Sequence, residues 1–156
     1  MTAGKTNSMR MLEAKGIGYR VHEFSPEIQS AEGVAEALHV PPSQVYKTLV
    51  VMRERGRSLL VIVPGDKDLD LKLLAQQIGE KSLHMASRRQ AEQITGLQVG
   101  GISALALLQR NLDVYADEAI LMLATVYVSA GSRGINLSLA PSDLLRVTNA
   151  AIVRAT

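Results

Sequence analysis

Lys47 is the first residue whose type and place suggest chemistry. It stands in the run Tyr46-Lys47-Thr48-Leu49-Val50-Val51-Met52-Arg53, and in an extended strand alternate residues share a side. Lys47 therefore falls with Val45, Leu49 and Val51. An ammonium on so apolar a face must be paired, reach solvent along its own stem, or meet a ligand. On pattern alone solvent is the commoner outcome, because lysine is almost never fully buried. Gly100-Gly101 is the second place. Paired glycines let a backbone approach a ligand closely and aim N–H groups at a phosphate or a developing oxyanion, although a simple turn or bulge reads the same way. The third is the segment 125–139. Thr125, Tyr127 and Ser129 alternate with apolar residues, and Asn136 and Ser138 do so on the return. One face of that hairpin is polar without charge: a solvated sheet face, or a pocket wall of hydroxyls and an amide.

Other polar residues read as bland. Arg53, Arg55 and Arg57 flank a hairpin turn, and Arg88-Arg89 open a helix; solvent is the ordinary fate of both groups, with RNA phosphate a lesser reading for the first. His22, His39 and His84 are scattered, with no paired ligand spacing and no local acid, so no metal is expected. The serines lack a nucleophile-elbow context. There is no cysteine, which removes a disulfide framework, a zinc–thiolate site and a protein thiol nucleophile.

The elements that must hold these positions follow from the hydrophobic pattern. A length of 156 residues, 47% of them hydrophobic, suits one domain with a real core, and the expected domain is 1–156. One Phe and no Trp leave the core to Val, Leu, Ile, Ala and Met. Helices are expected over 6–15, with Asn7 or Ser8 as cap, over 31–39, 69–78 and 87–94, and from Pro141 to Thr148. Strands are expected over 19–24, 46–53, 58–64, 81–85, 112–115, 125–130, 135–139 and 151–154. Residues 105–111 are ambiguous. Two hairpins shuffled with helices, without strict alternation, predict an α+β fold on a mixed, mostly antiparallel sheet. The first 15 residues carry no apolar signal core and no stretch is long enough to span a bilayer, so a cytoplasmic protein with no membrane partner is expected. The formal net charge of +2 does not suggest strong sequence-independent nucleic-acid binding.

Taken together, Val45-Tyr46-Lys47-Thr48-Leu49-Val50, Val99-Gly100-Gly101-Ile102-Ser103 and Tyr127-Val128-Ser129-Ala130-Gly131-Ser132-Arg133-Gly134 resemble three blocks of the YbaK/EbsC family, in order and spacing. The similarity runs from about residue 5 to about residue 150. The resemblance implies a single domain with a curved mixed sheet flanked by helices, akin to the editing insertion of bacterial prolyl-tRNA synthetases. It implies hydrolysis of the ester of a mischarged tRNA, Cys-tRNA(Pro) above all, without a cofactor. The implied partners are the tRNA acceptor end and a synthetase such as prolyl-tRNA synthetase; oligomeric state stays open. Lys47 matches the family's essential lysine and Gly101 the loop whose backbone contacts the ester, with Gly100, Ile102 and Ser103 grouped in that loop. Phe24, Thr48, Ser129 and Asn136 match substrate-binding positions.

In a regular strand Thr48 faces away from Lys47, so a bulge or an indirect role is required. Three departures bear on amino-acid specificity. Ala104 stands where the family commonly has proline, which is expected to loosen the loop. Asn136 stands where aspartate is common, and Phe24 where a tyrosine is. Hydrolysis on such a site rests on positioning and electrostatics: Lys47 anchors a phosphate or the ester oxygen, and the Gly100-Gly101 amides polarise the carbonyl. The departures favour a rival, a non-catalytic aminoacyl- or nucleotide-binding module of the same fold. A third reading is a deacylase acting on another small ester.

Overall fold

The computed structural model describes residues 4–156. In chain order its elements are α1 (Asn7–Ala14), β1 (Arg20–Glu23), α2 (Ala31–Leu38), β2 (Tyr46–Arg53), β3 (Leu59–Pro64), α3 (Leu71–Ile78), β4 (Leu83–Met85), α4 (Arg88–Thr95), β5 (Asp113–Asp117), β6 (Val126–Ser129), β7 (Ile135–Leu139), α5 (Pro141–Thr148) and β8 (Ala151–Val153). Short 3-10 turns cover Pro42–Gln44, Ala104–Arg110 and Glu118–Met122. The fold is α+β. None of the helices among the described residues is long and apolar enough to cross a membrane.

The sheet is mixed and falls in two parts. One has the order β4-β2-β3-β5-β8, the other β1-β7-β6, and an isolated parallel bridge from Val45 to Tyr127 joins them. Hairpins β2–β3 and β6–β7 pair antiparallel, as do β2–β4 and β1–β7. Apart from the isolated Val45–Tyr127 bridge, the parallel pairs among the described residues are β3–β5 and β5–β8. Strand β3 shows why the larger part is central. All six of its residues are buried, as expected of a strand covered on both faces. Leu60 and Ile62 join a core shared with Tyr46, Val50, Val128 and Leu137, while Leu59, Val61 and Val63 join a second core with Val51 and Leu74.

Side-chain caps fix the helix starts. Ser30, Asp70 and Ser87 each accept a hydrogen bond from the backbone N–H three residues on, and Ser87 forms a reciprocal capping box with Gln90. At α1 the cap is Thr6, not Asn7 or Ser8. The reason is long-range: Ser8 is buried and its hydroxyl donates to the Ala130 carbonyl at 2.8 Å. The ambiguous stretch 105–111 forms 3-10 turns with a kink at Leu107.

The C-terminal strand is tied down by Asp117, which is 2% exposed. Its Oδ1 accepts from the Ala155 N–H at 2.9 Å and its Oδ2 from the Ala119 N–H at 3.1 Å. Replacing Asp117 with Ala strands both donors, so urea unfolding should show a loss of about 2 kcal/mol or more. A loss under about 0.5 kcal/mol would count against this anchoring role.

Candidate functional site

Strand β2 is paired differently on its two edges. Against β3 the ladder is continuous from Tyr46 to Val51. On the other edge β4 pairs only with Val51, Met52 and Arg53, and Tyr127 bridges at Val45. Between these contacts that edge has no strand beside it among the described residues. The Val50 carbonyl points this way and accepts from the Ala86 N–H at 3.1 Å. By the alternation of an antiparallel strand, the N–H and C=O of Thr48 point the same way, into the stretch that β4 and Tyr127 leave without a paired strand among the described residues.

A cleft of about 420 Å³ opens on this gap. It gathers Lys47, Thr48, Gly100, Ile102, Ser129 and Asn136. Because it opens at the edge of β2 and not over one face, Lys47 and Thr48 both reach it from opposite faces of a regular strand. No bulge is needed. Its lining is largely apolar. Lys47 is half-buried, and its one polar contact among the described residues is the Gly65 carbonyl at 3.5 Å. Asn136 is 4% exposed, lines the cleft, and its side-chain amide meets no hydrogen-bond partner among the described residues. No buried side-chain nitrogen or oxygen among the described residues lacks a partner, so the unbonded Asn136 amide reaches accessible space, and both groups are available to a ligand. The Ser129 hydroxyl accepts from the Gly131 N–H at 3.2 Å and still borders the cleft.

The glycine loop is held from several sides. The Val99 N–H donates to Glu92 Oε2 at 2.8 Å, and Arg133 Nε donates to the Val99 carbonyl at 2.8 Å. The Ala104 N–H donates to Thr48 Oγ1 at 3.3 Å. This gives Thr48 its indirect role and reverses the expectation for position 104: alanine supplies a donor that a proline lacks, and the loop gains a tie to β2.

Three sequence-assigned residues lie elsewhere. Gly101 is buried against the 132–133 backbone, and its N–H is already given to the Gln98 carbonyl at 2.8 Å. The glycine backbone that borders the cleft is Gly100. Ser103 is buried and its hydroxyl caps the following 3-10 turn through the Leu105 N–H. Phe24 packs with Val34, Ala35 and Val45 instead of lining the cleft.

Sequence reading missed the opposite wall. Gln29, Ser30 and Glu32 at the start of α2 line the cleft, as do Gly65 and Arg88. Gly65 has no room for a side chain: a Cβ would lie 2.7 Å from the Val45 carbonyl oxygen. The Pro64-Gly65 pair closing an apolar strand was the available signal. Of the arginines judged bland, Arg53 is committed to Glu80 and Asp113, and Arg57 to the carbonyls of Arg110 and Asn111. Tyr46 also lines the cleft; burial, with the charges of Asp117 and Asp66, holds its hydroxyl well above the ordinary phenol range, so it stays protonated. His22 is bonded to Ser138, its Nε2 2.8 Å from Oγ, and its ring centroid is 5.0 Å from that of Tyr127. Burial, and then the charge of Arg20, holds its pKa below the ordinary value.

Residues 25–147 match the family described as "Aminoacyl-tRNA editing domain". A protein of Enterococcus faecalis described as "Putative Cys-tRNA(Pro)/Cys-tRNA(Cys) deacylase EbsC" is 35% identical over 157 residues, covering 99% of this chain and 95% of that protein. A proline–tRNA ligase of Sulfurihydrogenibium is 29% identical over 110 residues, 70% of this chain and 19% of the ligase. A solved structure described as "Crystal structure of a putative trans-editing enzyme for prolyl tRNA synthetase" superposes with a TM-score of 0.82 at 27% identity, covering 98% of this chain and 99% of that one.

Two outcomes follow from this geometry. Gly100 has φ +95°, and a Cβ there would lie 3.1 Å from Gln29 side-chain carbons. Gly100→Ala should therefore cost about 1–2 kcal/mol in chemical denaturation; an unchanged midpoint would contradict the strained position. For His22 the folded pKa lies below the unfolded one. The unfolded chain then binds more protons between the two values, so this residue's contribution to stability is lost as pH falls below about 6.5. NMR titration of the imidazole should give a midpoint below that of an unfolded-chain histidine.

Proposed function

The chain belongs to the aminoacyl-tRNA editing domain family, as the blocks at 45–50, 99–103 and 127–134 led us to expect, and on that premise we propose that it hydrolyses the ester of mischarged tRNA in trans, with Cys-tRNA(Pro) as the preferred substrate. The observation that carries this reading is the convergence, on one largely apolar cleft beside the Gly100 backbone, of the Lys47 ammonium, which meets no carboxylate among the described residues, and the Asn136 amide, which meets no hydrogen-bond partner there.

The reaction needs three things: a held acyl group, stabilised charge on the carbonyl oxygen, and an attacking oxygen or sulfur. Lys47 supplies a positive charge in surroundings drier than bulk water, where its attraction for a phosphate or ester oxygen is strengthened. The Gly100 backbone closes over the same space, and with the Gly101 N–H spent in its turn, polarisation of the carbonyl falls to Gly100 and Lys47. Asn136 and the open Thr48 backbone offer donors and acceptors to the amino-acid end. Asn136 does this without charge, and the carboxylate that lines the cleft is that of Glu32 on the opposite wall. Among the described residues neither a thiol nor a serine–base pair borders the cleft, and the nucleophile is assigned to the substrate's own thiol, a free hydroxyl of the terminal adenosine, or a held water. Lys47 thus acts as an electrostatic anchor, not a general base.

The rival is a binding module of the same fold that holds the aminoacyl end without turnover. Its support is the set of departures at Phe24, Ala104 and Asn136. Two of these sit differently than expected: Ala104 ties the loop to Thr48, and Phe24 packs away from the cleft. Only Asn136 then changes the cleft itself, which favours the enzyme.

The relation to prolyl-tRNA synthetase extends to a synthetase partner that hands over the tRNA, and the place of action is the cytoplasm. Wild-type protein should deacylate Cys-tRNA(Pro) in a panel of mischarged tRNAs. Lys47→Ala should lower kcat/KM by about 10²–10³-fold with unchanged thermal unfolding. Saturable binding of the mischarged tRNA without turnover would establish the module instead.

A further inference from the structure

The three-stranded part of the sheet has one face in the core and one polar face. Cross-strand partners share a face, so the register decides which residues stand together. Ser129 pairs with Asn136, and Asn136 with His22. Two residues further along, Tyr127 pairs with Ser138, and Ser138 with Arg20. One face therefore runs from Ser129 and Asn136, which border the Lys47 cleft, to Tyr127, His22, Ser138 and Arg20. The opposite face carries Val126, Val128 and Leu137, all buried.

The far part of the polar face is concave. A groove of about 630 Å³ is lined there by Tyr19, Arg20, His22, Thr125, Tyr127 and Ser138, among others. Its chemistry is specific in kind. The His22 and Tyr127 rings are tilted by 52° at 5.0 Å and both line the groove, Tyr127 also packing against the Val34–Ala35–Val45 cluster. The Ser138 hydroxyl and His22 form a polar pair at 2.8 Å. Arg20 is exposed, and its side chain has no ion pair or hydrogen bond among the described residues. A guanidinium beside aromatic rings and hydroxyls suits unstacked bases on a phosphate chain. It suits an apolar peptide or a lipid poorly.

We propose that this groove binds the nucleotides that precede the esterified terminal adenosine in the single-stranded 3′ end of tRNA. The inference rests on the aminoacyl-tRNA reading of the cleft, since the groove lies next along the same sheet face from that cleft, and this order sets the direction of the strand. The step from the Ser129–Asn136 pair to the Tyr127–Ser138 pair is about 7 Å along the sheet, comparable to one extended nucleotide. The aminoacyl group sits at Lys47 and Asn136, and the preceding bases stack against Tyr127 and His22. Arg20 takes a backbone phosphate. The small net charge of the chain fits this arrangement, because affinity comes from stacking at one groove and not from a broad basic surface.

The test uses the full chain and a short fluorescent RNA ending in cytidine-cytidine-adenosine. Anisotropy should show salt-dependent binding. Tyr127→Leu should weaken it roughly tenfold, and Arg20→Ala should reduce the slope of log affinity against log salt by about 0.7. Arg20 is on the surface, so its variant remains informative if Tyr127→Leu folds poorly. In deacylation, both variants should lose more kcat/KM on Cys-tRNA(Pro) than on the cysteinyl ester of adenosine, which ends before the groove. No RNA binding by wild type, or binding that both variants leave unchanged, overturns the proposal. Variant-sensitive RNA binding without any ester turnover would sink the deacylase reading and leave the groove standing. Turnover with equal losses on both substrates would do the reverse.

Discussion

A strand that is paired on one edge and interrupted on the other governs this structure. Strand β2 is held rigidly by β3 from Tyr46 to Val51, so its position is not in question. Its far edge is sealed at Val45 by Tyr127 and again from Val51 onward by β4. The unsealed residues between are where the cleft forms. An exposed edge is normally a liability, since unpaired backbone groups template association. Here the gap is short, and α2, α4 and the glycine loop surround it.

That constraint explains why so few residues suffice. The backbone of Thr48 offers a donor and an acceptor with no side chain spent, and Lys47 brings charge from the other face of the same strand. The glycine loop is bonded to α4 through Glu92, to the 131–134 turn through Arg133 and to β2 through Thr48. A loop tied to three separate elements is pre-organised: little conformational freedom is left to lose when a ligand arrives.

Most of this was legible locally, and the remainder was not local. Strand β2 and helix α5 fall at the residues expected from alternation and from Pro141 at a first helical position. Both hairpins lie where their turns placed them. Lys47, Gly100, Ser129 and Asn136 were readable because polar or glycine residues break an apolar pattern. The α2 wall was not, since Gln29, Ser30 and Glu32 look like any helix start and acquire meaning only from what they pack against. The Thr6 cap was hidden for a similar reason: three adjacent residues can cap, and a contact 122 residues away removes Ser8 from the choice. Gly101 shows the limit of a motif. Two neighbouring glycines read alike, yet one N–H closes a turn and the other glycine borders the cleft. Position 104 shows the limit of a departure: the missing proline was read as a loss, while the residue present adds a bond.

The chain has four tyrosines and no tryptophan. Tyr46 lines the cleft, and Tyr19 and Tyr127 line the groove beyond it, with Val45 and Tyr127 bridged between the two. Ultraviolet emission from this molecule therefore arises from phenols, three of which border these two cavities. The protein carries its own optical probes at both, with no indole signal to mask them, and occupancy of either can be followed without attaching a dye.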